Sequence, residues 1–471
     1  MSLPYLPQEI LMLIISALGY EDGLHAMTKL CRTSKTVCAR VQPQLFRQFP
    51  RKDCFLSLWE HAYIDPLDTV MCFMQTVINR PELGACVRKL DLGGFNPRGH
   101  WRQNIQKEPQ KDQIEMLVGA CNHLQADWKR RYLTGAVGSP VNSLIMLLIT
   151  LTPNLEALTL RATEEEGLEG LDLLWERDSL GIRSYGYLTN LKTFGIVWGT
   201  GVHKSISELI HLMHLPKLDV LYMSGANEHA PGCPPFDLLR PASLSITTLE
   251  LAGSTLHQNT VRQIVRAYKC LKVFCFSAAL NATCTYDYLL RVSDIVSVLE
   301  PHQNSLREIK LNTRDLEFVH GSPDGNQYGS FTAFTSLKFL ELEQCGIQDV
   351  AGLPDSLERL SLISCNRPVY SFLANLISKS KNGRLPLKSL SIRQAQAEFG
   401  EENQDWILGI GPLYDWLCTK EGQSAMIEAC RRLDNFIKTA DFSVEIFDCT
   451  AWGVYVAEQE LNGGAVADHT A

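Results

Sequence analysis

The chain has 471 residues, 45% apolar and 20% charged, with a formal net charge of −8. A single small compact domain and a disordered charged scaffold are both excluded by those figures. The acidic balance also makes no electrostatic case for nucleic acid or an anionic membrane, so neither is expected as a partner. Fifteen cysteines run from Cys31 to Cys449, with no pair spaced C-x-x-C. A paired zinc module is therefore not expected, and neither a metal nor a cofactor is assigned.

The start, Met1 to Gln8, lacks a basic leader region, and the first apolar run carries Glu9. The most apolar stretch, Ser143 to Leu151, is far short of the roughly 20 residues that span a bilayer. A soluble protein of the reducing cytosol or nucleus is expected.

Residues 1–49 read as a short helical module. Pro7 opens a helix on which Ile10, Ile14 and Leu18 share a face, with Leu11 and Ile15 beside it. Gly19 and the Asp22-Gly23 pair break it, and a second helix comes next with Leu24, Met27 and Leu30. Ser34 caps a third containing Val37, Cys38 and Val41, which Pro43 is expected to end. Leu45, Phe46 and Phe49 add one more apolar ridge.

The opening Leu6, Pro7, Glu9, Ile10, the Ile14 and Leu18 spacing, and the later Leu30-to-Lys35 and Pro43-to-Arg47 strings resemble an F-box of the filamentous-fungal type. The tryptophan that many F-boxes carry in the third helix is missing; Lys35 or Val37 stands near its place. The resemblance implies docking on a Skp-family adaptor, and through it a cullin-RING ubiquitin ligase. Carried over by position, it assigns adaptor contacts to Leu6, Pro7, Ile10, Ile14, Leu18 and Leu24. Some of these residues must instead hold the helices together. The alternative is that these helices only cap the first repeat of a solenoid.

Residues 50–84 read as a helical linker or cap. Beyond them one spacing recurs: an apolar residue, another three later, and a third two after that. It runs through Leu155, Leu158, Leu160; Leu191, Phe194, Ile196; Leu218, Leu221, Met223; Ile246, Leu249, Leu251; and Leu271, Phe274, Phe276. It continues through Leu306, Ile309, Leu311; Leu337, Leu340, Leu342; Leu357, Leu360, Leu362; and Leu387, Leu390, Ile392, with Val87, Leu90, Leu92 as an earlier outlier. Nine copies in tandem, 20 to 36 residues apart, do not arise by chance.

Alternation at the end of each copy is the period of a strand with one buried face. Helical spacing lies between copies, at Ser205 to His214 and at Thr260 to Tyr268, where Val261, Ile264, Val265 and Tyr268 share a stripe. The pattern looks like an irregular leucine-rich-repeat array over residues 85–395. That resemblance implies an α/β solenoid, a horseshoe with a parallel sheet on the concave face and helices on the convex face. Cys345 and Cys365 come after Leu342 and Leu362 where the repeat takes Asn or Cys to satisfy turn backbone.

An insertion at 93–140 carries a basic run at Lys129 to Arg131 and a stripe of Ile114, Leu117, Val118, Cys121, Leu124 and Trp128, read as an extra convex helix. Residues 396–471 read as a C-terminal cap and flexible tail, with a helix near Ser424 to Lys438 and a strand at Ser443 to Asp448.

Strand positions around the two inner leucines point to the concave face. Arg161, Trp198, Tyr222, Lys310, Phe339, Glu341, Glu343 and Arg393 are the candidate contacts for an unidentified protein substrate. No phosphate-cradling loop, nucleophile elbow or H-E-x-x-H helix occurs, and His211 with His214 lack an accompanying ligand. The expectation is a non-catalytic adaptor that holds a target near a ubiquitin-charged enzyme. The alternative is a leucine-rich-repeat interaction scaffold with no ubiquitin role.

Overall fold

The structure, a computed structural model, describes residues 10, 13–15, 23–49, 66–92, 115, 118–123, 129, 140–162, 175–178, 181–184, 187–198, 209–226, 239–279, 290–313, 327–347, 349–365, 369–394, 404–405, 410–412 and 420–447. The chain forms two compact α/β units, Met1–Ser224 and Gly225–Ala471, a division that falls inside the 85–395 span.

After helical residues 10 and 13–15, the first unit runs α1 (Gly23–Cys31), α2 (Lys35–Leu45), β1 (Gln48–Phe49), α3 (Pro66–Asn79), α4 (Pro81–Gly84) and β2 (Lys89–Asp91). It continues with α5 (Pro140–Leu151), β3 (Ala157–Ala162), a hairpin of β4 (Trp175–Asp178) and β5 (Gly181–Ser184), β6 (Thr193–Trp198), α6 (Ile210–Met213) and β7 (Val220–Ser224). Strands β1, β2, β3, β6 and β7 lie side by side in that order, all parallel.

The second unit runs β8 (Thr248–Ser254), α7 (Gln258–Ala267), β9 (Val273–Ala278), α8 (Val292–Leu299), β10 (Glu308–Asn312), β11 (Phe339–Glu343) and β12 (Arg359–Cys365). It ends with α9 (Tyr370–Lys381), β13 (Ser389–Gln394), a hairpin of β14 (Gln404–Asp405) and β15 (Ile410–Pro412), α10 (Lys420–Ile437) and β16 (Ser443–Phe447). Again the strands β8, β9, β10, β11, β12, β13 and β16 are parallel and stacked in chain order.

Every copy of the repeated spacing becomes one of these strands, and its apolar positions become the core. Leu249, Phe274, Ile309, Leu340, Leu360 and Leu390 stand in register across the sheet, each no more than 1% exposed. The apolar residue that opens each copy is buried as well, and the residue after it sets the register. Arg307 N–H donates to Lys272 O at 2.8 Å, Lys338 N–H to Arg307 O at 2.8 Å, and Glu358 N–H to Lys338 O at 3.0 Å. A parallel pair needs a crossover, which the intervening helices and turns supply.

Helix α7 buries Val261, Ile264 and Val265, with Tyr268 just beyond its end, the stripe read from spacing alone. His302, 4% exposed, ties this helix to the next strand. Its Nδ1 accepts from Leu271 N–H at 3.4 Å, so Nε2 carries the proton and donates to Val265 O at 2.8 Å.

Two expectations differ from the structure. Pro43 does not end the third predicted helix; it sits in the last turn of α2, where it removes one backbone donor and Phe46 N–H still reaches Gln42 O at 3.0 Å. Phe49, read only as part of an apolar ridge, lies in the strand Gln48–Phe49 that pairs with β2. Of the helix expected over Ser205 to His214, Ile210–Met213 is helical, and residues 205–208 lie outside the described residues.

Candidate functional site

Ile10 and residues 13–15 are helical. Ile10, Leu13 and Ile14 share a face by their spacing and are 44%, 66% and 36% exposed. Their neighbour Ile15 is 1% exposed and packs with Met27, Val37 and Val41 in a small core that Leu30, Cys31 and Leu45 flank. One segment thus feeds the core with one side chain and offers three to solvent. Ser34 caps α2, its Oγ accepting from Val37 N–H at 3.1 Å, and so fixes the helix that lines this core.

Of the residues assigned to the adaptor, Ile10 and Ile14 are on that exposed face. Leu6, Pro7 and Leu18 lie outside the described residues, as does the Leu24 side chain. Leu13 was missed, although its i+3 spacing from Ile10 places it on the same face. The module joins the first sheet through Phe73 of α3, which stacks on Phe46 and Phe49 at centroid distances of 5.7 and 3.9 Å.

An open groove of about 690 Å³ separates α2 from the α3–α4 turn. Cys31, Lys35, Cys38, Arg80, Glu82 and Cys86 are among its lining residues. Burial, then Cys38, pushes the Cys31 thiol up to about 11, so it stays protonated and is a poor nucleophile at neutral pH. Cys86 Sγ donates to Glu82 O at 3.1 Å. Among the described residues, no group of three or more His, Cys, Asp or Glu side chains is placed to hold a metal ion. No helix among them is long and apolar enough to cross a membrane.

The outward strand positions of the second unit carry charge around an aromatic ring. Lys310 Nζ pairs with Glu308 Oε1 at 2.7 Å and lies 5.5 Å from the centroid of Phe339; Arg359 Cζ lies 4.6 Å from it. Such cation–ring contacts are worth about 0.5–1 kcal/mol at exposed sites. The hydrogen bond from Lys310 to Glu308 raises the ammonium pKa, which keeps it charged. Glu341 aligns with Lys310 across the strands, and Arg393 sits 5.7 Å from the centroid of Phe447. Burial and then Glu250 push the Cys275 thiol on this face up to about 12.

Lys310, Phe339, Glu341 and Arg393 therefore gather on one face of the second unit, joined by Glu308 and Arg359, which sequence reasoning left out. In the first unit, Arg161 and Tyr222 are half-buried on β3 and β7.

Two assignments are corrected. Trp198 is 5% exposed, because it stands after Phe194 and Ile196 at a period of two and so falls on the inward face of β6. Glu343 is 1% exposed and enclosed. Its carboxylate accepts from Thr313 N–H, from Thr313 Oγ1 at 3.1 Å and from Tyr328 Oη, a clasp between the ends of β10 and β11. Burial raises its pKa against the lowering effect of those bonds.

Of the two turn cysteines, Cys365 is fully buried and its Sγ approaches Leu362 O at 3.6 Å. The Cys345 side chain lies outside the described residues. No protein-family model matches the chain, and a search of curated proteins finds no match.

Proposed function

We propose that the chain is a non-catalytic substrate-recognition subunit of an SCF-type ubiquitin ligase, pairing an F-box-like module with a leucine-rich-repeat array. The carrying observation is the division of labour at the N-terminus. Ile15 is spent on the module's own core while Ile10, Leu13 and Ile14 remain on the surface. A short helical module that leaves three large aliphatic side chains in water on one face is built to bury them against a partner. The resemblance supplies that partner, a Skp-family adaptor. The strand faces beyond it would hold a protein substrate, with Phe339 and its cations as one anchor. The protein then contributes effective concentration and no reacting groups.

A second reading is favoured by the Phe46–Phe49–Phe73 stack and the β1–β2 pairing. These contacts are what a cap on a repeat array would make, and this reading has no adaptor.

The readings separate in one experiment. The 471-residue chain carrying Ile10→Asp and Ile14→Asp is compared with wild type for capture of a Skp-family adaptor, with thermal melts as the folding control. The proposal expects an unchanged melt and capture weakened by at least about tenfold. Undiminished capture by the folded variant, or no capture by wild type, overturns it.

A further inference from the structure

The residue just before each strand forms a second row along the N-terminal edge of each sheet, tied by backbone hydrogen bonds from one place to the next. In the first unit this row alternates in sign: Arg88, Glu156, Lys192, Asp219. Glu156 is paired with Arg88 at 3.4 Å and with Lys192 at 2.8 Å. The end of the row in the second unit does the same, Glu358 lying 2.5 Å from both Lys338 and Lys388.

Earlier in the second unit's row the alternation fails. Lys272, Arg307 and Lys338 occupy three consecutive places, and Thr247 precedes them. Adjacent strands are about 4.8 Å apart, and like charges directly opposed across such a gap destabilise a sheet. Lys338 has Glu358. The side chains of Lys272 and Arg307 are exposed and make no ion pair or hydrogen bond among the described residues, and exposed Lys269 adds a further positive charge in the turn before β9. The nearest acid in sequence, Glu308, is engaged by Lys310 on the strand face.

We infer that the Lys272–Arg307 edge of the second unit is a docking point for a partner polypeptide that presents neighbouring acidic side chains. The width of the patch decides the class of ligand. Thr247 bounds it on one side and Glu358 on the other, so it offers unneutralised charge across only two strands. A duplex nucleic acid, with one charge per about 1.7 Å, needs a far longer stripe, and the chain's net charge of −8 opposes it. A pair of carboxylates on one extended segment matches the count. The inference does not depend on the adaptor reading.

The test measures binding of a fluorescein-labelled peptide, six glutamates flanked by Gly-Ser, to the 471-residue chain at low salt. Lys272→Glu with Arg307→Glu is expected to weaken it by about tenfold and to confer binding of the matching six-lysine peptide. Lys29→Glu, a reversal of an exposed charge on α1, is expected to leave it unchanged. Both reversed side chains are solvent-exposed, so the melts should coincide. The alanine pair Lys272→Ala with Arg307→Ala repeats the loss without introducing new charge. Peptide binding that is insensitive to these changes overturns the inference. So does a single-stranded DNA oligonucleotide that binds more tightly than the peptide through the same two residues.

Discussion

A carboxyl group with almost no solvent contact keeps its proton more readily than one in water, and Glu343 is such a group. Burial, the largest influence, raises its pKa, and the donors Tyr328 and Thr313 offset that only in part. A folded pKa above the unfolded one means the native state binds the extra proton. Its contribution to stability is therefore complete below the ordinary value of 4.5 and is lost as pH rises through the folded pKa. Glu343→Gln should flatten that segment of the pH–stability curve while keeping the clasp. Glu343→Ala should cost about 1–3 kcal/mol at any pH by leaving Thr313 N–H and Tyr328 Oη without their acceptor. Denaturant unfolding across pH checks both. Tyr268 is the opposite case: its hydroxyl is buried and without a partner among the described residues. Tyr268→Phe removes that cost and should leave stability unchanged or raise it by about 1 kcal/mol, read as a melt shift.

Elements close on one another where a small residue permits it. Gly84, at the end of α4, faces the carbonyl oxygen of Leu151 at the end of α5, and a Cβ there would collide with backbone that has no rotamer to yield. Gly84→Ala should therefore destabilise the first unit by about 1–3 kcal/mol, visible as a lowered melting temperature. The helical module is held differently. Its core is four side chains from three segments, Ile15, Met27, Val37 and Val41. Such a core is small, so the module relies on the stack of Phe73 with Phe46 and Phe49 and, by the proposal, on a partner. The Ser34 cap and the α7 stripe were legible because each depends on residues within one turn or two. The passage of α2 through Pro43 was not, because losing one donor in a last turn costs little once Leu45 and Phe46 have contacts to make beyond it.

Within each unit, a strand in the stack pairs only with its immediate neighbours. Stability in such an array is close to a sum of local and nearest-neighbour contributions. Truncating Leu340, fully buried on β11, should cost about 2–5 kcal/mol. Hydrogen exchange should show the loss concentrated in β10, β11 and β12 and fading toward β8 and β16. Uniform loss across the second unit would contradict the nearest-neighbour account.

The spacing of apolar residues determined, by itself, where the repeat strands lie and which of their residues are buried. A period of two succeeded by a crossover is a local property, and parallel pairing only repeats it. Trp198 was legible by the same rule, standing two residues after Ile196. What only the tertiary structure decided is where the rule is overridden or left silent. Glu343 continues the outward period of Phe339 and Glu341, yet it is enclosed, with Thr313, thirty residues earlier, as one of its donors. The run of Lys272, Arg307 and Lys338 is scattered over many residues of sequence and becomes one edge when three strands align. Ile10, Leu13, Ile14 and Ile15 are equally apolar, and which of them meets water depends on where Met27, Val37 and Val41 lie. Burial and charge proximity are sums over distant parts of the chain, and periodicity in one segment carries no information about them.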